Sequence, residues 1–335
     1  MTKLTRRVLL ASSAALCLAG QAAMAQDTIR IAAVVQSLDT EFNVLWADAA
    51  QRHPDVVDGS VDLTIFDGRM DPFNQASRID TAVNEKYDAI IFIPVDINAG
   101  NDPVERAEAA GVPVIGSNTL ISNTDLYTAY IASDDVEGGK ILAGSVIDRI
   151  GDEGKVFVIE GMIGQSAQVQ RLEGIEAVLA EHPGIEVAAQ QTANWSRAEA
   201  LSLVENWLIS HGTVDGIIAE NDEMAIGAME AVRAAGLNPA ELPIAGVDGI
   251  TDALLAVQRG ELMSTLQDAN GLAQGAIDLA AAAATDGAHE PKAEVWDVNG
   301  GALQWQGTSQ QHYSVPWVPV TLDNVEALLE LRSAN

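Results

Sequence analysis

The chain has 335 residues, enough for two domains of ordinary size, and its 48% hydrophobic and 20% charged residues exclude a disordered or low-complexity polymer. A formal net charge of −30 repels nucleic acid and anionic membrane surfaces and favours solubility. Cys17 is the single cysteine, so no intrachain disulfide can form.

Lys3, Arg6 and Arg7 precede the apolar run "VLLASSAALCLAG", and "AMAQ" places Ala23 and Ala25 in a small-x-small cleavage pattern. Residues 1–25 therefore read as a secretory signal peptide cut after Ala25. The run is too short to span a bilayer with margin. "TRRVLL" fits either the general secretory or the twin-arginine route. Leu16 stands before Cys17 where a lipid-anchor site requires a small residue, so no lipid anchor is expected. Removing the three basic residues takes the net charge to −33. The later run "AIDLAAAAATDGA" is short and weakly apolar, so the expected product is soluble and periplasmic.

From Ile29 strand-like and helical patterns alternate. The strand-like runs are "IRIAAVV", "VDLTIF", "DAIIFIPV", "VPVIGS", "YTAYIAS", "KVFVIEG", "IEVAAQQ", "VDGIIAE", "LPIAGVD" and "LMSTLQ". Between most of them lie helical patterns such as "DVEGGKILAGSVIDRI" and "EMAIGAMEAVRAAG". Alternation of this kind specifies parallel sheets covered by helices, and strands apolar throughout specify burial on both faces. Ten strands exceed one comfortable open sheet, so two sheets in two lobes are expected. "YTAYIASD" follows the preceding strand with no helix between, and reads as the strand on which the chain leaves one lobe for the other. The tail after Gly287 is irregular until "VPVTLDNVEALLEL", a strand, a cap at Asp323 or Asn324, and a helix. The expected division is 26–133 plus 269–297 for the first lobe and 134–268 plus 298–335 for the second.

Ligands of open parallel sheets sit beyond the carboxyl ends of the strands. The residues there are Gln36, Ser37, Asp39 and Thr40, then Phe42; Ser117, Asn118 and Thr119; "MIGQSAQVQR" ending in Arg171; "TANWSR" with Trp195; Asn221 and Asp222; Asp248; and Gln267 with Asp268. Each alone has a plainer reading. Asn, Asp, Ser and Thr at helix starts are N-caps, Asp222 among them. Phe42 and Trp46, four apart, both fit a helix face turned to the core. What distinguishes the set is convergence on one edge of each sheet. Amides, carboxylates and one arginine suit a neutral polyhydroxylated ligand, with aromatic faces covering its C–H surfaces. An anionic ligand would require several cationic groups, and only Arg171 stands out.

At this point "IASDDVEGGK", "GMIGQSAQVQRLEGI", "IIAENDEMAIGAMEAVRAAG" and "IAGVDGITDALLAVQRGEL" resemble the ribose-type periplasmic binding proteins of ABC transporters, members of the type I periplasmic binding protein family. The likeness covers the mature chain to about Asp286. The same blocks occur in repressor effector domains of the lactose-repressor type, but the signal peptide and the lack of an N-terminal helix-turn-helix favour the exported relative. The resemblance implies an α/β fold with two doubly wound parallel-sheet (Rossmann-like) lobes, a three-strand hinge, and ligand in the cleft. By position it implies ligand contacts for Arg171 in R-x-x-G, Asn221 in a "QND"-like motif, Asp248 in G-x-D-G, and the aromatics Trp195 and Phe42. Gln36 and Thr40 fall on first-loop positions that touch sugar, and either Gln267 or Asp268 matches a hinge ligand. Asn118-Thr119 replaces the Asp-Arg of ribose binders, and Asn43 replaces a second aromatic. The expected ligand is therefore a neutral monosaccharide or a sugar alcohol, with a different monosaccharide or an acyclic polyol fitting at least as well as ribose, and the expected partner is an ABC permease, with the binding protein monomeric.

An enzyme is disfavoured. The sequence has no H-E-x-x-H, no G-x-S-x-G, no phosphate loop and no mature cysteine, and its five histidines are dispersed. Asp134-Asp135 reads as a helix cap at a hinge. No calcium loop with spaced acids is present, so neither a metal nor a cofactor is expected. A periplasmic sensor of the same fold, serving a chemoreceptor or receiving an autoinducer, stands as the alternative.

Overall fold

The computed structural model describes residues 28–298 and 303–333; the expected signal peptide lies outside the described residues. In β1 (Ile29–Val35) every side chain from Ile31 onward is buried. Successive side chains point to opposite faces, so a strand covered on both faces must be apolar throughout. Accordingly Ile31, Ala33 and Val35 join one core cluster, and Ala32 and Val34 join another on the opposite face.

The alternation then continues with α1 (Glu41–Gln51), the short α2 (Pro54–Val57), β2 (Val61–Asp67), α3 (Pro72–Asn84), β3 (Ala89–Phe92), α4 (Asn101–Ala109), β4 (Val114–Ser117) and β5 (Ala129–Ala132). A second cycle comprises α5 (Asp135–Ile150), β6 (Gly154–Glu160), α6 (Ser166–Glu181), β7 (Ile185–Thr192), α7 (Arg197–His211), β8 (Gly216–Ala219), α8 (Asp222–Ala234), β9 (Ile244–Asp248), α9 (Thr251–Gln258), β10 (Met263–Leu266) and α10 (Ala269–Ala284). The tail adds α11 (Val295–Val298), β11 (His312–Ser314), β12 (Val318–Pro319) and α12 (Val325–Ser333).

Two sheets result, ordered β11-β5-β4-β3-β1-β2 and β12-β10-β9-β8-β6-β7. Every pairing is parallel except β10 with β12. The two halves repeat one order, and in each the strand sequence reverses at its first strand, which opens a crevice at the carboxyl edge. In the second sheet Phe157 and Ile159 pack on one face, and Val156 and Val158 on the other.

The chain crosses between the sheets three times: from β5 into α5, from β10 into α10, and between β11 and β12. Helix α10 packs against α1, β3, β4 and β5, within the first lobe. The tail departs from the expected division. The expected division gives residues 298–335 whole to the second lobe, yet His312–Ser314 pairs with Tyr130–Ala132 and extends the first sheet. Three residues between irregular segments carry too little periodicity to reveal which open edge they will cover.

Candidate ligand-binding cleft

Between the lobes lies a cavity of about 430 Å³, within the roughly 300–1,000 Å³ of small-molecule pockets. From the first lobe it is lined by Gln36, Thr40, Phe42, Asn118 and Thr119. From the second lobe and the β10–α10 crossing come Arg171, Trp195, Asn221, Asp248 and Gln267. These ten strand-end residues thus share one cavity, whereas Ser117, Asp222 and Asp268 of the same set do not line it. The lobes also touch at its margins: Ile97 N donates to Gly164 O, and Leu120 N donates to Ser166 Oγ, each at 2.8 Å.

On the first-lobe side, side chains tie the strand ends together. Gln36 Nε2 donates to Thr119 Oγ1 at 2.8 Å, and Thr119 Oγ1 donates to Pro94 O at 2.8 Å. Beneath them Gln75 Nε2 holds Val35 O and Ile93 O, and its Oε1 accepts from Val95 N. Asn118 sits at φ 62°, a left-handed conformation that asparagine tolerates better than most residues. Its Oδ1 is buried and has no partner among the described residues. Phe42 is buried at the cavity wall, whereas Trp46 is a core residue whose Nε1 donates to Ser117 Oγ at 3.1 Å.

On the other side Arg171 is central. Helices α5 and α6 approach backbone to backbone; a Cβ on Gly139 would stand 2.0 Å from the Arg171 carbonyl oxygen. That closeness lets Arg171 Nε donate to Asp135 Oδ1 at 2.8 Å. Nη1 donates to Glu220 O at 2.6 Å and Nη2 to Gln267 Oε1 at 3.3 Å. Burial opposes the guanidinium charge, but Asp135 and then Asp248 more than offset it and raise the Arg171 pKa. Burial pushes the Asp248 carboxyl well above the usual range, with Arg171 pulling the other way. Asp248 stands at φ 127°, a strained conformation at a strand end. Asn194 and Trp195, at φ 51° and 64°, form a second strained pair that turns the indole to the cleft. Trp195 Nε1 and Gln267 Nε2 are buried without partners among the described residues.

Several sequence readings need correction. Asn221, rather than Asp222, caps α8: its Oδ1 accepts from Met224 N at 3.0 Å. Asp222 instead receives Gly249 N, Ile250 N and Ser264 Oγ on Oδ2, tying α8 to the loop after β9 and to β10. Burial pushes its pKa up to about 7 against the pull of those bonds. Asp134 does cap α5, but Asp135 is the counter-ion of Arg171. Gln267 faces the cavity while Asp268 caps α10. Arg171 is not the sole cleft cation: Arg197, within the segment after β7, also lines the cavity, paired with Glu223 at 2.8 Å and Asp252 at 2.7 Å. Met70, Met162 and Gln165 line it too; Met162 and Gln165 belong to the strand-end stretch "MIGQSAQVQR", and Met70 lies outside every such stretch.

His53, Asp55 and Asp278 form the one cluster of metal-ligand type among the described residues, away from the cavity. His53 Nδ1 accepts from Asp55 N at 3.2 Å, so a neutral ring carries its proton on Nε2, 3.1 Å from Asp278 Oδ1. Asp278 further accepts from His289, Ala293 N and Trp296 Nε1, which fastens the tail to α10.

A family profile described as a periplasmic binding protein domain matches residues 31–288. This chain belongs to that periplasmic binding protein family. A xylitol-binding protein of Mycolicibacterium smegmatis is 34% identical over 266 residues, covering 79% of this binding protein and 73% of the relative. A ribose import binding protein of Salmonella typhimurium is 33% identical over 244 residues, covering 73% and 80%. Among solved structures, a Bacillus halodurans ABC transporter solute-binding protein with bound myo-inositol superposes with a TM-score of 0.80 at 29% identity, over 90% of this chain and 98% of that one. An Actinobacillus succinogenes solute-binding protein with bound D-allose gives 0.75 at 26% identity, over 89% and 99%.

Proposed function

We propose that this protein is the extracytoplasmic solute-binding component of an ABC transporter, closing on a neutral monosaccharide or sugar alcohol and delivering it to the permease. The observation that carries the reading is that residues lining one cavity from both sides carry buried polar atoms without partners among the described residues. Asn118 Oδ1 offers an acceptor from the first lobe, and Trp195 Nε1 and Gln267 Nε2 offer donors from the second. Asp248 adds a buried carboxyl, and Asn221, with Oδ1 occupied by the cap, has Nδ2 left as a donor. Alternating donors and acceptors are what vicinal hydroxyls require.

The cleft's positive charges are already neutralised, Arg171 by Asp135 and Arg197 by Glu223 and Asp252. That balance speaks against a sugar acid or sugar phosphate. Phe42 and Trp195 supply apolar surface for C–H faces. Each hydroxyl bond contributes about 0.5–1.5 kcal/mol net, or about 1.5–3 kcal/mol to a charged group, so an analogue lacking one hydroxyl is rejected by the group it leaves unpaired. The relatives' ligands, ribose, xylitol, myo-inositol and D-allose, are all of this class. The reading places a monomer in the periplasm, exported by residues 1–25, without catalytic activity.

The test is a thermal-shift screen of the mature protein against pentoses, hexoses and C4–C6 polyols, followed by Asp248→Ala. The ligand should raise the wild-type melting temperature and leave the variant unmoved. Full stabilisation of Asp248→Ala would show that the site is misassigned.

A further inference from the structure

Trp317 lies beyond the matched domain, on the segment that carries the tail from β11 in the first sheet to β12 in the second. Its indole Nε1 donates to Asp134 O at 2.6 Å, at the β5–α5 crossing. Its ring fills the space beside Gly138 on α5, where a Cβ would stand 2.7 Å from Trp317 Cζ2. The same ring stands 5.4 Å from the guanidinium carbon of Arg171, which also stands 5.8 Å from the Trp195 ring in the cleft. Arg171 in turn is bonded to Asp135, the neighbour of the residue that Trp317 holds. One side chain therefore touches two of the three interlobe crossings, its own and the β5–α5 one, and the arginine of the cavity.

We propose that Trp317 is a positioning residue for the cleft: it orients the Arg171 guanidinium from the hinge side and links that orientation to the relative placement of the lobes. Arginine is attracted to indole faces, and two such faces restrict the plane of the fork. With Asp135 on Nε and Glu220 O on Nη1, that plane determines where the remaining N–H groups can meet a ligand. Trp317 lies between β11, paired in the first sheet, and β12, paired in the second, so a movement of the lobes that displaces this segment displaces the ring beside Arg171. The inference rests on the cleft being the ligand site.

The experiment compares Trp317→Phe, Trp317→Leu, Gly138→Ala and Arg171→Lys in the full mature chain. It reads the Kd for myo-inositol, xylitol and D-allose by calorimetry and the melting temperature of the ligand-free protein. Trp317→Leu should weaken binding of the preferred one of the three about tenfold. Trp317→Phe, which keeps a ring but loses the donor, should recover most of that loss. Gly138→Ala approaches the contact from its other side. Alanine is a better helix former than glycine, so a weaker Kd there reports a displaced indole rather than a failing helix. A clamp that served stability alone would lower the melting temperature and leave Kd unchanged.

Kd within twofold of wild type in both Trp317→Leu and Gly138→Ala, while Arg171→Lys binds poorly, overturns the proposal and leaves the cleft reading intact. If none of the three ligands binds the wild-type protein, the ligand reading is what fails for them. The coupling is then decided on the empty protein, by a double-mutant cycle of unfolding between Trp317→Leu and Arg171→Lys. Non-additive effects support the linkage and additive effects overturn it.

Discussion

Arg171 Nε stands 2.8 Å from Asp135 Oδ1 with both side chains buried, so the cleft is built around an ion pair taken out of water. Burial pushes the Asp135 carboxyl up, and Arg171 draws it back. Removing one partner of such a pair is far more costly than its net contribution, because the other is left as an uncompensated charge. Asp135→Ala should therefore lose about 3–5 kcal/mol in urea unfolding, and Asp135→Asn, which keeps an acceptor, distinctly less. A loss below about 1 kcal/mol, in the range of exposed pairs, would show that Asp248 and Glu220 supply the counter-charge instead.

Asp222 gives the protein an unusual pH signature. Its pKa is pushed up to about 7 by burial, above the unfolded value near 3.8. Between those values the native state binds more protons than the unfolded chain, so stability falls as pH rises through the window. The slope contributed is at most about 1.4 kcal/mol per pH unit. Asp278 acts in the opposite sense. Burial works against its charge, but bonds from His289 and His53 hold its carboxyl well below its usual range, and its contribution is lost only as the medium becomes strongly acid. Urea midpoints from pH 4 to 7 should fall in the wild type, and the fall should flatten in Asp222→Asn. Parallel curves for the two proteins would remove Asp222 as the cause.

The fold was legible because both-face burial writes itself as continuous apolar runs, and each of the ten runs read from the sequence coincides with one of β1–β10. The cleft residues were legible because a sheet delivers its strand ends to one edge. What the sequence hid was pairing. Nothing local tells that Asp135 meets Arg171, 36 residues away, or that Asp222 serves the loop after β9. Capping chemistry favours Asn and Asp alike, so the assignment of Asn221 and Asp222 depended on which faces the groove between strands. Strand β11 escapes a sequence reading because three residues, of which Tyr313 alone is buried, are too few to establish a period.

Gly161 shows how tightly the cleft aromatic is seated. A Cβ there would lie 1.9 Å from Trp195 Cη2, and the ring is a rigid neighbour that cannot yield locally. Gly161→Ala should therefore displace Trp195 from the cavity wall. The expected result is about 1–3 kcal/mol of overpacking and a loss of ligand-induced stabilisation larger than that of Trp195→Ala alone. Wild-type binding in Gly161→Ala would mean that the indole has a second productive seat.

Glu41, the first residue of α1, meets Thr251, the first residue of α9, across the mouth of the cleft. One carboxylate oxygen accepts from Thr251 N at 2.8 Å and from Thr251 Oγ1 at 2.5 Å. The contact exists only while the lobes are together, so it should act on the closed population rather than on ligand contacts. Glu41→Ala removes both bonds and Thr251→Val only the hydroxyl one. Loss of about 1–2 kcal/mol of closure would lower the closed-to-open ratio by a factor of about 5–30. Ligand dissociation in stopped-flow should accelerate in the order wild type, Thr251→Val, Glu41→Ala, with the radius of gyration of the empty protein increasing in the same order. Equal dissociation rates in all three proteins would show that closure is held by the opposite margin, where Ile97 and Leu120 bond to Gly164 and Ser166.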